Sequence, residues 1–243
     1  MSFRLTIASC LLALLSACAT IPKSTATTPE ALLAEGDLLI KADHFDDAVS
    51  RWKKVKEGDY APGMIIQAEL RIADAQFDHK NYIEAAASYE NFRKLHPNHE
   101  KAGYALYRLA LCNFNQINGY DTEQTSVKNT VTFLESFLRQ YPTSTYAEDA
   151  GKKLNECRKL QLRYELYVAR FYFRTGKYQA AIRRLEAALI QFPEQPLLDE
   201  VLFHLGEVYL KSGNTSKGAQ ALSRLFAEFP ASPFVAEGKK LVK

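Results

Sequence analysis

Four dipeptides ending in proline recur in one register, and nothing else in the chain constrains its fold as much. They are His96-Pro97, Tyr141-Pro142, Phe192-Pro193 and Phe229-Pro230. Twelve residues before each proline stands a small or compact residue, Ala85, Thr130, Ala181 or Gly218; fifteen before it stands Tyr82, Val127, Tyr178 or Thr215. A small residue lets two helices approach closely. A proline then ends the second helix, because it lacks an N–H and its ring clashes with the preceding turn. From Glu30 onward apolar residues keep helical spacing, and no alternating strand segment stands out. Repeated helix pairs that cannot bury their apolar faces alone predict an all-α stack.

The spacing resembles that of tetratricopeptide (TPR) repeats. In the last repeat Leu202, Leu205-Gly206 and Tyr209 are followed by Gly213, Gly218, Leu222, Leu225 and Pro230. The fourth supplies Ala169, Tyr172, Gly176, Tyr178, Ala181, Leu185 and Pro193 in the same frame. The first supplies Leu32, Gly36, Leu39, Phe45, Ala48 and Trp52, with its terminal proline displaced to Pro62. Five hairpins are expected, with Ser232 to Lys243 as a capping helix. Two departures stand out. The third repeat carries eight extra residues around Asn118 to Thr122. From about Tyr146 to Arg174 the only Pro or Gly is Gly151, which predicts one helix of about 40 Å. It would join an N-terminal trio of repeats, residues 30–142, to a C-terminal pair, residues 143–243. The register also places Leu33, Asp37 and Ile40, Leu70, Asp74 and Phe77, and Tyr107, Leu111 and Phe114 on the groove-facing side of the first three repeats. Seven of these nine are apolar or aromatic, which suits a groove for an extended peptide; packing onto the next helix or the neighbouring repeat is the alternative.

The N-terminus reads differently. Arg4, an apolar run from Leu5 to Leu15 and the tetrapeptide Leu15-Ser16-Ala17-Cys18 resemble a bacterial lipoprotein signal. The resemblance implies a signal peptide over residues 1–17, cleavage before Cys18 and acyl chains on that cysteine. Residues 18–29, polar and holding Pro22 and Pro29, read as a flexible tether. The apolar run is too short to span a bilayer, which needs about 20 residues. Ala19 is not the aspartate that commonly retains lipoproteins in the inner membrane, so outer-membrane sorting follows by resemblance. Without residues 1–17 the formal charge falls from +3 to +2, giving no bulk attraction to nucleic acid. Cys112 and Cys157 sit in apolar helical patterns and read as buried thiols.

Chemistry-bearing motifs are missing. His44, His79, His96, His99 and His204 are scattered, and no HExxH, GxSxG, Walker loop or GxGxxG occurs. The sequence offers no basis for an enzyme, a cofactor or a metal. A basic tract, Arg158-Lys159, Arg163, Arg170, Arg174 and Arg183-Arg184, is interleaved with Tyr164, Tyr167, Phe171 and Tyr172. Its aromatics read as repeat core and its charges as solvated surface.

Three segments carry a closer resemblance: Tyr141-Pro142-Thr143-Ser144-Thr145-Tyr146-Ala147-Glu148-Asp149-Ala150, Tyr164 through Tyr172, and Gly176 through Arg184. With Asp121-Thr122-Glu123-Gln124-Thr125 and the lipoprotein signal, they resemble the BamD family of TPR lipoproteins in the outer-membrane β-barrel assembly (BAM) machinery. The resemblance implies a scaffold that catalyses nothing. It implies as partners the last periplasmic domain of BamA, other BAM lipoproteins and unfolded outer-membrane barrel precursors, with a lipid anchor holding the chain at the periplasmic face. Arg184 matches a family arginine at the BamA contact. The alternative is another TPR lipoprotein, such as a type IV pilotin; regular spacing near 34 residues would favour it, whereas the prolines here lie 45, 51 and 37 apart.

Overall fold

The computed structural model describes residues 26–242, and within them every regular element is a helix. Five hairpins follow in order: α1 (Pro29–Lys41) with α2 (Phe45–Lys56), α3 (Pro62–Asp78) with α4 (Tyr82–Leu95), α5 (Ala102–Phe114) with α6 (Thr125–Gln140), α7 (Ala147–Arg174) with α8 (Tyr178–Gln191), and α9 (Leu198–Lys211) with α10 (Thr215–Glu228). A short α11 (Phe234–Leu241) turns back onto α9 and α10. Each helix packs against its neighbours in sequence, and α1 also reaches α3 as α7 reaches α9. This is the stacking of a TPR superhelix.

The residues preceding the four prolines share one backbone geometry. His96, Tyr141, Phe192 and Phe229 cap α4, α6, α8 and α10 with φ between −128° and −132° and ψ between 48° and 57°. Proline excludes its predecessor from the α region, so the helix must stop there. The compact residues twelve positions earlier are all buried. Thr130, the polar one, satisfies its hydroxyl by donating to the Ser126 carbonyl at 2.7 Å. In the first hairpin Gly36 leaves space for the Trp52 indole, whose Nε1 lies 2.3 Å from where a Cβ would stand. Left-handed residues turn the chain into the second helix of four hairpins: Asp43, Lys80, Gly176 and Gly213, with φ of 63°, 63°, 72° and 85°. The third hairpin replaces that turn with its insertion, residues 115–124.

The long helix forms as expected, with 28 residues or about 42 Å. Its first half, through Ala150 and Leu154, joins the core of α5 and α6; its second half, through Leu162, Leu166 and Ala169, joins that of α8 to α10. One rigid element therefore belongs to both repeat groups. Pro62 is a correction. The helix before it already ends at Lys56, and Pro62 is the first residue of α3. A proline is tolerated there because the N–H it lacks would have no helical partner.

Candidate partner-binding surfaces

The nine register-selected positions lie along α1, α3 and α5. Leu33 and Tyr107 are buried, at 4% and 7% exposure, inside the cores of the first and third hairpins. Ile40, Leu70, Phe77, Leu111 and Phe114 are half-buried. The Arg108 guanidinium covers the Phe77 ring at 3.7 Å, and the Lys153 ammonium stands 4.9 Å from the Phe114 ring. Asp37 receives Arg71 at 2.8 and 3.2 Å through both carboxylate oxygens.

Asp74 organises the junction of the second and third hairpins. It accepts the hydroxyls of Tyr89 and Tyr104 at 2.5 and 2.7 Å, while Arg108 Nε donates to the Tyr89 oxygen at 3.0 Å. Burial, reinforced by the Asp74 carboxylate, drives both tyrosine pKa values well above the usual phenol range, so each hydroxyl remains a donor. Tyr107 makes the equivalent bond to Asp149 from α7.

Beside this network a cleft of about 450 Å³ opens between α3, α5 and the turn before α7. Leu70 and Asp74 of the stripe line it together with Tyr104, Tyr141 and Tyr146. Tyr146 stacks on Tyr107 at 4.7 Å between centroids and stays 36% exposed. Tyr141 sits close against α5 because Gly103 has no side chain; a Cβ there would meet its ring at 3.0 Å. Tyr141 and Tyr146 lie outside the register of the first helices, since they come from the turn after α6. The sequence signal was the aromatic residue before Pro142.

Arg184, on α8, donates through Nη1 to both oxygens of Glu165 on α7, at 3.2 and 3.1 Å. Its side chain is 41% exposed and that of Glu165 18%. The carboxylate thus fixes the guanidinium while leaving much of it for a partner. Cys18 lies outside the described residues. Cys112 and Cys157 are free buried thiols, each pushed up to about 12 by burial. Among the described residues no helix is long and apolar enough to cross a membrane, and no cluster of His, Cys, Asp or Glu could hold a metal.

A family model described as "YfiO: Outer membrane lipoprotein" matches residues 25–225, from before α1 into α10. The outer membrane protein assembly factor BamD of Neisseria meningitidis serogroup A is 27% identical over 238 residues, covering 91% of this chain and 89% of that protein. The protein of the same name from Caulobacter vibrioides is 25% identical over 213 residues, covering 88% and 70%. Among solved structures, that of the MamA protein aligns with a TM-score of 0.42 at 18% identity, covering 84% of this chain and 96% of that one. With the family model spanning four hairpins and most of the fifth, this chain belongs to the YfiO family of outer membrane lipoproteins.

Proposed function

We propose that this chain is a non-enzymatic scaffold of the BAM complex, assisting the assembly and insertion of β-barrel proteins into the outer membrane. The family match across residues 25–225 carries this reading, and relatives named as BamD assembly factors support it over the pilotin alternative. Depleting the chain in cells should lower the amount of folded, heat-modifiable outer-membrane barrels, measured by gel mobility. Unchanged barrel levels would contradict the role.

Acyl chains on Cys18 would hold the scaffold on the periplasmic face of the outer membrane, each buried CH₂ contributing about 0.8 kcal/mol. Cys18→Ser should move the protein into the soluble periplasmic fraction or stall it as precursor. Membrane fractionation like that of wild type would refute the anchor.

In this reading the C-terminal repeats, around Arg184, dock the BamA periplasmic domain, with other BAM lipoproteins joining the assembly. Barrel precursors would lie along Ile40, Leu70, Phe77, Leu111 and Phe114. The cleft beside Leu70 gives a terminal ring a place to enter, with Leu33 and Tyr107 acting from beneath as support. Phe77→Ala with Phe114→Ala should weaken binding of barrel-precursor C-terminal peptides, measured by fluorescence anisotropy, and leave BamA association intact. Unfolding of the double variant, or unchanged peptide affinity, would show that the stripe is core alone.

A further inference from the structure

Arginines and aromatic rings gather on the face of α7 turned away from Arg184. At about 100° per residue, Arg163, Tyr167, Arg170, Phe171 and Arg174 share one side of the helix. Glu165, which holds Arg184, lies on the other. Tyr167 and Phe171 are 45% and 48% exposed, so these two rings are not repeat core.

A third ring comes from the insertion that sets the third hairpin apart. Gln124 is buried there, and its Nε2 donates to the carbonyls of Tyr120 and Thr122 at 3.1 and 2.8 Å, shaping the loop. Tyr120 then meets Tyr167 edge to face, 6.2 Å between centroids, with the Arg163 guanidinium 6.0 Å from the Tyr120 ring. A cleft of about 500 Å³ opens between this loop, α7 and Glu200 of α9. Its charge is one-sided. Glu200 is the single carboxylate lining it among the described residues, and that group is shared between Arg170 at 3.8 Å and His204 at 3.7 Å. Arg163 and Arg174 form no ion pair among the described residues.

Guanidiniums without carboxylate partners attract anions, and exposed rings gain from being covered. We infer that this cleft is a second docking surface, taking an extended segment of a partner protein that carries carboxylates together with aromatic side chains. Tyr120, Tyr167 and the three arginines line a concavity, which suits an inserted chain rather than the flat surface of a bilayer. This surface and Arg184 occupy opposite sides of α7, so a partner on one leaves the other open.

The test uses the full chain in detergent and a fluorescent peptide alternating glutamate and phenylalanine, followed by anisotropy. Binding should weaken at least about tenfold in Arg163→Glu with Arg174→Glu, and likewise in Tyr120→Ala with Tyr167→Ala. Arg224→Glu, on α10 and outside the cleft, should leave it unchanged. Circular dichroism checks that each variant folds; if the charge variant does not, loss of wild-type binding with added salt takes its place. Equal affinity for a peptide with serine in place of phenylalanine would overturn the proposal, as would wild-type affinity in the folded variants. Displacement of the peptide by phosphatidylglycerol mixed micelles would do so too, assigning the cleft to phospholipid headgroups.

Discussion

Tyr89→Ala is expected to destabilise the chain by about 3–5 kcal/mol, the range for truncating a large buried aromatic side chain. The ring is wholly buried between α3, α4 and α5 and meets Tyr104 edge to face at 6.3 Å. Its removal opens a cavity and strips the Asp74 carboxylate and Arg108 of a shared partner. Tyr89→Phe separates the two effects. The ring remains, Asp74 keeps Tyr104 and Arg108 keeps Asp78, so the loss should be only about 1–2 kcal/mol. Urea denaturation followed by circular dichroism gives both values. In a stack where each repeat contacts only its neighbours, faster hydrogen exchange should concentrate in the second and third hairpins. A Tyr89→Ala variant within about 1 kcal/mol of wild type would mean that the junction is not held as described.

The second large effect falls on binding. Arg184→Glu should weaken association with the BamA periplasmic domain by about 2 kcal/mol or more, roughly thirtyfold. Reversal removes a guanidinium that Glu165 holds with both oxygens and sets two carboxylates against each other. Arg184→Gln removes the charge without that repulsion. A binding defect shared by both variants, with unaltered helical circular dichroism, assigns the loss to the guanidinium. Wild-type binding in both would place the BamA contact elsewhere.

Local chemistry was legible in the sequence; partners from other helices were not. A proline dictates its predecessor's backbone, so four caps follow from proline spacing, and the first hairpin from Leu32, Gly36, Phe45 and Ala48. The run from Tyr146 to Arg174 lacked any helix-stopping signal and became α7. Pro62 was ambiguous because proline both follows helices and opens them; only the end of α2 at Lys56 decides between these. The register puts Asp74 and Tyr107 on the groove side of their helices. It cannot show that Tyr89 and Tyr104 converge on Asp74, or that Asp149 arrives from α7 to hold Tyr107. Tyr167 and Phe171 repeat that lesson. Their spacing resembles a core stripe, and only the packing of α8 and α9 against the Leu162, Leu166 and Ala169 face of α7 leaves them exposed.

The most direct test of the scaffold role is affinity capture of the full chain from detergent-solubilised membranes, with partners identified by mass spectrometry. BamA and other BAM lipoproteins should co-elute with wild type, and BamA should be depleted from the Arg184→Glu sample. Recovery of a secretin, or of no BamA from wild type, would contradict it.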